Sequence, residues 1–234
     1  MFHIYIADDY VNSILIINAT TFKKEDEIIS SGGTINHLAL SRNGDFLLWG
    51  DEAFEGKCFN LTTKETVCLK GHTRGVLCIV AGDGTDVITS SRDNDIRVWD
   101  GLTGSCKITM AGHTGWVCSV IYHVETKRIF SGSMDEMILC WDYESGQVLK
   151  HIGVVHRFIM HLAWVNEFCF SCYNVSGINE TYNSRDFSYI GSLSVHESWT
   201  RVFSQTFEGK LLIDGSNSSG ATLSNIICLE KMSS

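Results

Sequence analysis

The sequence predicts an all-β chain built from a repeated four-stranded unit, and three observations carry that expectation. A cassette occurs twice: Gly71-His72, Ser-Ser-Arg-Asp at 90–93 and Ile96-Arg97-Val98-Trp99-Asp100, then Gly112-His113, Ser-Gly-Ser-Met-Asp at 131–135 and Ile138-Leu139-Cys140-Trp141-Asp142. Its His-to-Trp interval is 27 residues in the first copy and 28 in the second. The closing residue of the cassette keeps time along the whole chain, because Asn18, Asn60, Asp100, Asp142, Asn183 and Asn225 stand 42, 40, 42, 41 and 42 residues apart. Finally, no window places apolar residues at helical spacing, whereas runs such as 76–80 and 117–122 are rich in β-formers. A period of ~40–45 residues with such marks is that of a propeller blade.

In chain order, each mark ends a short strand-like run, at 14–17, 57–59, 96–99, 138–141, 179–182 and 221–224. After the third and fourth come Asp-Gly-Leu-Thr-Gly at 100–104 and Asp-Tyr-Glu-Ser-Gly at 142–146, whose small polar residues suit a tight reversal. Asn43-Gly44 and Gly82-Asp83-Gly84 read as hairpin turns, where glycine supplies a positive φ. Asn-rich stretches at 174–183 and 216–219 predict longer loops. The first unit is short. Before Asn18 there is room for two strands, roughly 3–7 and 14–17, where each later unit has room for four, and the tail at 226–229 could supply the outer strand of the last unit. An unpaired edge invites pairing with another chain. Three arrangements therefore stay open: a ring with one defective blade, an N-terminally truncated propeller, or a ring completed by another chain.

The two good cassettes closely resemble the repeats of the WD40 family, and three to four further units resemble them in degraded form. The resemblance implies an all-β WD-repeat propeller of about six four-stranded blades, with the first incomplete and one domain spanning 1–234. It also implies that each good blade is braced by a chain of hydrogen bonds. By position the first chain is His72, Thr89 or Ser91, Asp93 and Trp99; the second is His113, Ser131 or Ser133, Asp135 and Trp141, with Ser91 and Ser133 the expected hydroxyls. Ser, His and Asp also make a hydrolytic triad, in which His takes the proton of the nucleophile. A single active site would not recur in successive units, so no catalytic residue is assigned. In the degraded units Phe59, Tyr182 and Ser224 stand where Trp is expected, and those blades are expected to rest on apolar burial alone.

Composition narrows the function. The chain of 234 residues is 44% hydrophobic and 11% aromatic, ample for a continuous core. A net charge of −9 argues against direct nucleic-acid binding, which needs Lys and Arg clusters; Lys23-Lys24 is cancelled by Glu25-Asp26-Glu27. The start has no basic segment before an apolar run, and no apolar run reaches membrane-spanning length. Nine cysteines, most inside expected strands, read as reduced thiols of a cytoplasmic or nuclear protein. Cys169 and Cys172 have CxxC spacing, but a metal site needs further ligands and strand residues three apart point to opposite faces, so neither metal nor cofactor is expected. Phosphate-binding glycine loops are absent.

Function on such a scaffold belongs to loops. By resemblance, two positions per blade face the top opening. One lies three residues after the His and holds Gly75, Trp116, Ile159 and Trp199; the other precedes the turn Asp and holds Arg92 and Met134. Trp116, Trp199, Arg92 and Met134 are the candidate partner-binding residues, because these residue types are enriched in interface cores. The expected function is a non-catalytic scaffold that docks other proteins. The second expectation is a substrate-recognition subunit, or a fragment, of a larger assembly such as a ubiquitin ligase.

Overall fold

The computed structural model describes residues 3–8, 12–154, 157–194, 202–205, 211–214 and 226–228; they form strands joined by turns, with no helix among them. The strands are β1 (His3–Asp8), β2 (Ser13–Asn18) and β3 (Lys24–Ile29); β4 (Ile35–Leu40), β5 (Phe46–Asp51), β6 (Glu55–Asn60) and β7 (Thr66–Lys70); β8 (Val76–Ala81), β9 (Asp86–Ser91), β10 (Ile96–Asp100) and β11 (Cys106–Met110); β12 (Val117–His123), β13 (Arg128–Ser133), β14 (Met137–Asp142) and β15 (Val148–Val154); β16 (Ile159–Asn166), β17 (Cys169–Asn174), β18 (Ile178–Asn183) and β19 (Tyr189–Ser194); then β20 (Val202–Gln205), β21 (Leu211–Asp214) and β22 (Ile226–Cys228). Four of these sets form antiparallel sheets of four in chain order, β4–β7, β8–β11, β12–β15 and β16–β19; β20 pairs with β21, and the remaining sheet runs β22-β1-β2-β3. An all-β fold of repeated four-stranded sheets is what the period predicts.

The first unit corrects the expectation for the tail. Residues 3–29 supply three strands, and the missing innermost one is β22, which pairs antiparallel with β1 through Ile4–Cys228, Tyr5–Ile227 and Ile6–Ile226. The tail is therefore not the outer strand of the last unit. The sequence shows only that β1 lacks a local partner, and an open edge takes whichever strand reaches it. The run at 221–224 and its mark Asn225 lie outside the described residues. The Asn-rich stretch at 174–183 is also not a long loop: it is the end of β17, a short turn and β18, with Asn174 buried.

The periodic marks are the last residues of β2, β6, β10, β14 and β18, and each caps the turn that follows. The side-chain Oδ1 of Asn18 accepts from the N–H of Thr20 and Thr21, that of Asn60 from Thr62 and Thr63, that of Asp100 from Leu102 and Thr103, that of Asp142 from Ser145, and that of Asn183 from Arg185 and Asp186. These are Asx turns. A neutral amide oxygen accepts the same bonds as a carboxylate, which is why Asn and Asp alternate at one position. Where the mark is Asp100, those N–H groups also hold its carboxyl below the usual range. Each turn closes through a left-handed residue four positions after the mark: Phe22 at φ 55°, Lys64 at 64°, Gly104 at 74°, Gly146 at 69° and Phe187 at 64°.

The chain divides into two compact units: Met1–Ser91 with Arg97–Lys107 and Leu223–Ser234, and Arg92–Ile96 with Ile108–Thr222. In the first, Tyr5, Ile14 and Ile16 pack with Ile35, Leu38, Leu47 and Trp49, while Leu48, Cys58, Leu69, Ile79, Val87 and Trp99 make a second cluster. In the second, Phe130, Ile138 and Cys140 pack with Ile159, Leu162, Phe170 and Tyr182. Neighbouring innermost strands are also tied laterally. The N–H of Ile79 on β8 donates to Nδ1 of His37 on β4 at 3.5 Å, and that of Leu162 on β16 donates to Oγ of Ser119 on β12 at 3.0 Å. Arg42 Nε reaches the carbonyl of Gly82, and His123 Nε2 that of Glu167, at the other end of the same strands.

Candidate interaction surface

The second cassette closes into a chain of buried hydrogen bonds. Trp141 Nε1 donates to Ser131 Oγ at 2.7 Å, Ser131 bonds His113 Nε2 at 2.7 Å, and His113 Nδ1 bonds Asp135 Oδ2 at 2.8 Å. Asp135 further accepts from the N–H of Thr114 and Met137, so it fixes both the loop before β12 and the turn after β13. Burial pushes the Asp135 carboxyl up, but the bonds from His113, Thr114 and Met137 outweigh it and hold it below the usual range. In the first cassette Trp99 Nε1 and His72 Nε2 both meet Thr89 Oγ1 at 2.7 Å. Glycine before each His has a packing cause: a Cβ at Gly112 would stand 2.9 Å from the Trp141 ring, and one at Gly71 3.2 Å from Trp99.

The hydroxyls of these chains are Thr89 and Ser131, not the expected Ser91 and Ser133. Within each pair, Thr89 with Ser91 and Ser131 with Ser133, the two residues lie on one face of their strand because side chains repeat every second residue, and only the reach of the indole separates them. Ser91 and Ser133 donate instead to the carbonyls of Arg74 and Gly115. Ser133 also accepts from the N–H of Asp135, as Asp51 and Asn174 accept from Ala53 and Ser176 at the equivalent position. That role persists where the Trp is lost.

The degraded sheets do not rest on apolar burial alone. Phe59 replaces Trp on β6, but Trp49 on β5 fills the space and donates to Ser30 Oγ at 3.3 Å. Tyr182 stacks on Phe170 and donates its hydroxyl to Glu180 at 2.7 Å. Among the cysteines, burial pushes the thiol of Cys58 up to about 12 and that of Cys140 to about 11, so both pack as neutral apolar groups. Cys169 and Cys172 are unbridged, and Cys172 is buried. Among the described residues no three His, Cys, Asp or Glu side chains gather as metal ligands.

The candidate docking positions lie at one end of the sheets of the second unit. In a four-stranded antiparallel sheet, the loop entering the first strand and the turn between the second and third share an end. Trp116 precedes β12, is 37% exposed, and carries the guanidinium of Arg92 over its ring at 4.9 Å. Its carbonyl accepts from the N–H of Met134 at 2.9 Å, so three of the four candidates converge. Trp199 lies outside the described residues. The position expected at Ile159 belongs to Phe158. Ile159 is fully buried and opens β16, whereas Phe158 is 46% exposed and accepts from Val175 N–H as Trp116 does from Met134. Counting from His156 misplaces the register by one, because β16 opens three residues after that histidine, whereas β8 and β12 open four residues after theirs. The pairing of Arg92 with Trp116 also follows the repeat: Glu52, one unit earlier, lies over Gly75, where a Cβ would be 2.7 Å from its Oε2.

Comparison with known proteins agrees with this architecture. Residues 63–100 and 104–142 match the family described as WD domain, G-beta repeat. The chain is similar to the nuclear distribution protein PAC1 of Ajellomyces capsulatus, 40% identical over 160 residues that make up 56% of this chain and 35% of that protein. It is similar to the nuclear distribution protein nudF 2 of Penicillium rubens, 27% identical over 157 residues, 57% of this chain and 34% of the relative. Cell division control protein 4 of Candida albicans is 38% identical over 112 residues, 47% of this chain and 16% of that protein. The chain thus spans about a third or less of the length of these relatives. Sheet architecture, buried His–hydroxyl–Trp chains and the family match agree that residues 63–142 are WD40 repeats.

Proposed function

We propose that the chain is a non-catalytic scaffold that docks partner proteins on the loop end of its sheets, with residues 1–234 acting as one propeller domain. The observation that carries this is the exposed Trp116 with Arg92 stacked on it, Met134 bonded behind it and Phe158 repeating its position in the next sheet. Trp, Arg and Met are the residue types that anchor interfaces. His, Ser and Asp of the cassette are not offered as chemistry, because both nitrogens of His113 are engaged and Ser131 is wholly buried. Partners are other proteins rather than nucleic acid or membrane, in keeping with the charge of −9. Buried free thiols favour the cytoplasm or nucleus. In a second reading the same surface recognises substrates within a larger assembly.

Quantitative comparison of partners bound by wild type, Trp116→Ala and Phe158→Ala tests the surface, with Leu149→Ala on an outer strand as control. The rim variants are expected to lose a partner by ~10-fold or more, the scale of an interface anchor. If both keep every partner that the control keeps, the surface lies elsewhere.

A further inference from the structure

The sheet β4–β7 holds a buried charge cluster that has no part in the docking surface. Asp51 ends β5 with its side chain wholly buried, and the Lys57 side chain on β6 is 6% exposed. Lys57 stands opposite Trp49 in register, so Trp49, Asp51, Glu55 and Lys57 share one face. Lys57 Nζ is 3.3 Å from Asp51 Oδ2 and 2.6 Å from Glu55 Oε2.

The two carboxylate oxygens of Asp51 are not equivalent. Oδ1 accepts from the N–H of Ala53 at 2.9 Å and of Glu55 at 3.3 Å. Oδ2 is buried, accepts no hydrogen bond among the described residues, and faces the ammonium. Gly32 closes over it, since a Cβ there would collide with Oδ2. One oxygen thus sits where two dipoles stabilise negative charge, the other is the natural leaving oxygen, and the Lys57 ammonium lies 3.3 Å from that leaving oxygen. Burial, ahead of the opposing pull of Lys57 and of the Glu55 and Ala53 N–H groups, holds the carboxyl above its usual range, which favours the neutral acid.

We propose that Lys57 and Asp51 condense to an intramolecular amide, with Glu55 carrying the protons. Nζ attacks Cγ, the N–C bond forms, and the bond from Cγ to Oδ2 breaks. With Asp51 as the neutral acid, of the three protons on the ammonium one stays on the amide nitrogen, one reaches Oδ2 through Glu55 so that Oδ2 leaves as water, and the third passes through Glu55 to solvent, which regenerates Glu55. No oxidant or reductant takes part. Glu55 and Asp51 hold the ammonium above its usual range in spite of burial, so the step depends on Glu55 to take the first proton. The amide would bridge the turn between β5 and β6, in the sheet where Phe59 has displaced the Trp of the hydrogen-bonded brace.

Intact-mass measurement of the full chain tests this, followed by digestion and fragmentation of the peptides containing residues 51 and 57. Wild type is expected to be lighter than its sequence by one water, with the loss mapped to an Asp51–Lys57 linkage, and Lys57→Arg to have its full mass. Glu55→Gln is expected to have its full mass or to lose the water more slowly. Wild type at full mass overturns the proposal, as does a loss mapped to the Asp83-Gly84 step or one that persists in Lys57→Arg. Equal rates in wild type and Glu55→Gln overturn the part given to Glu55.

Discussion

At the scale of single residues, the buried chain from Trp141 to Asp135 is a device for stability, and Asp135 is its most connected member. Asp135→Ala leaves His113 Nδ1 and two backbone N–H groups without their acceptor, at an expected cost of about 1–3 kcal/mol. Urea denaturation checks it; an unchanged midpoint refutes the brace. The pH dependence has a definite sign. Because the folded carboxyl is held below its unfolded value, its contribution is present above the ordinary carboxylate range and is lost as pH falls through the lowered value. The gap between wild type and Asp135→Asn should therefore narrow on acidification. His113, Asp135 and Trp141 were legible in the sequence because few residue types serve those positions. The hydroxyl was not, because Ser131 and Ser133 share a face and only distance tells them apart. Phe158 was missed because the nearest histidine, His156, is out of step with the strand that follows.

At the scale of the element, the repeat is written more faithfully in turns than in the buried braces. Five marks cap five turns whether the residue is Asn or Asp, since the job needs an oxygen rather than a charge. Asp142→Asn should leave the unfolding midpoint nearly unchanged, while Asp142→Ala should cost ~0.5–1.5 kcal/mol by calorimetry. The lateral bonds between innermost strands were not legible at all. His37 and Ser119 look unrelated, yet each caps an N–H of the neighbouring inner strand. Ser119→Ala leaves the Leu162 N–H buried and unpaired, and should destabilise by about 1–3 kcal/mol. Faster hydrogen exchange at Leu162 is the expected signature, and unchanged protection there refutes it.

At the scale of the whole molecule, the period made the four-stranded sheets legible but not the partner of β1, because pairing between remote segments leaves no local pattern. β22 is short, yet it covers the edge that β1 would otherwise present. Removal of residues 223–234 should lower the unfolding midpoint and promote self-association on size-exclusion chromatography, as an exposed strand edge does. A monomer of unchanged stability refutes the role of β22. That pairing also sets an order of events. At a synthesis rate of ~5–20 residues per second, every other four-stranded sheet has all its strands soon after its own segment emerges, but β1 waits for β22, far downstream in the sequence. Until then that sheet has three strands and one open edge, and this is the interval in which a chaperone, or a neighbouring copy on the same message, has its opportunity to bind.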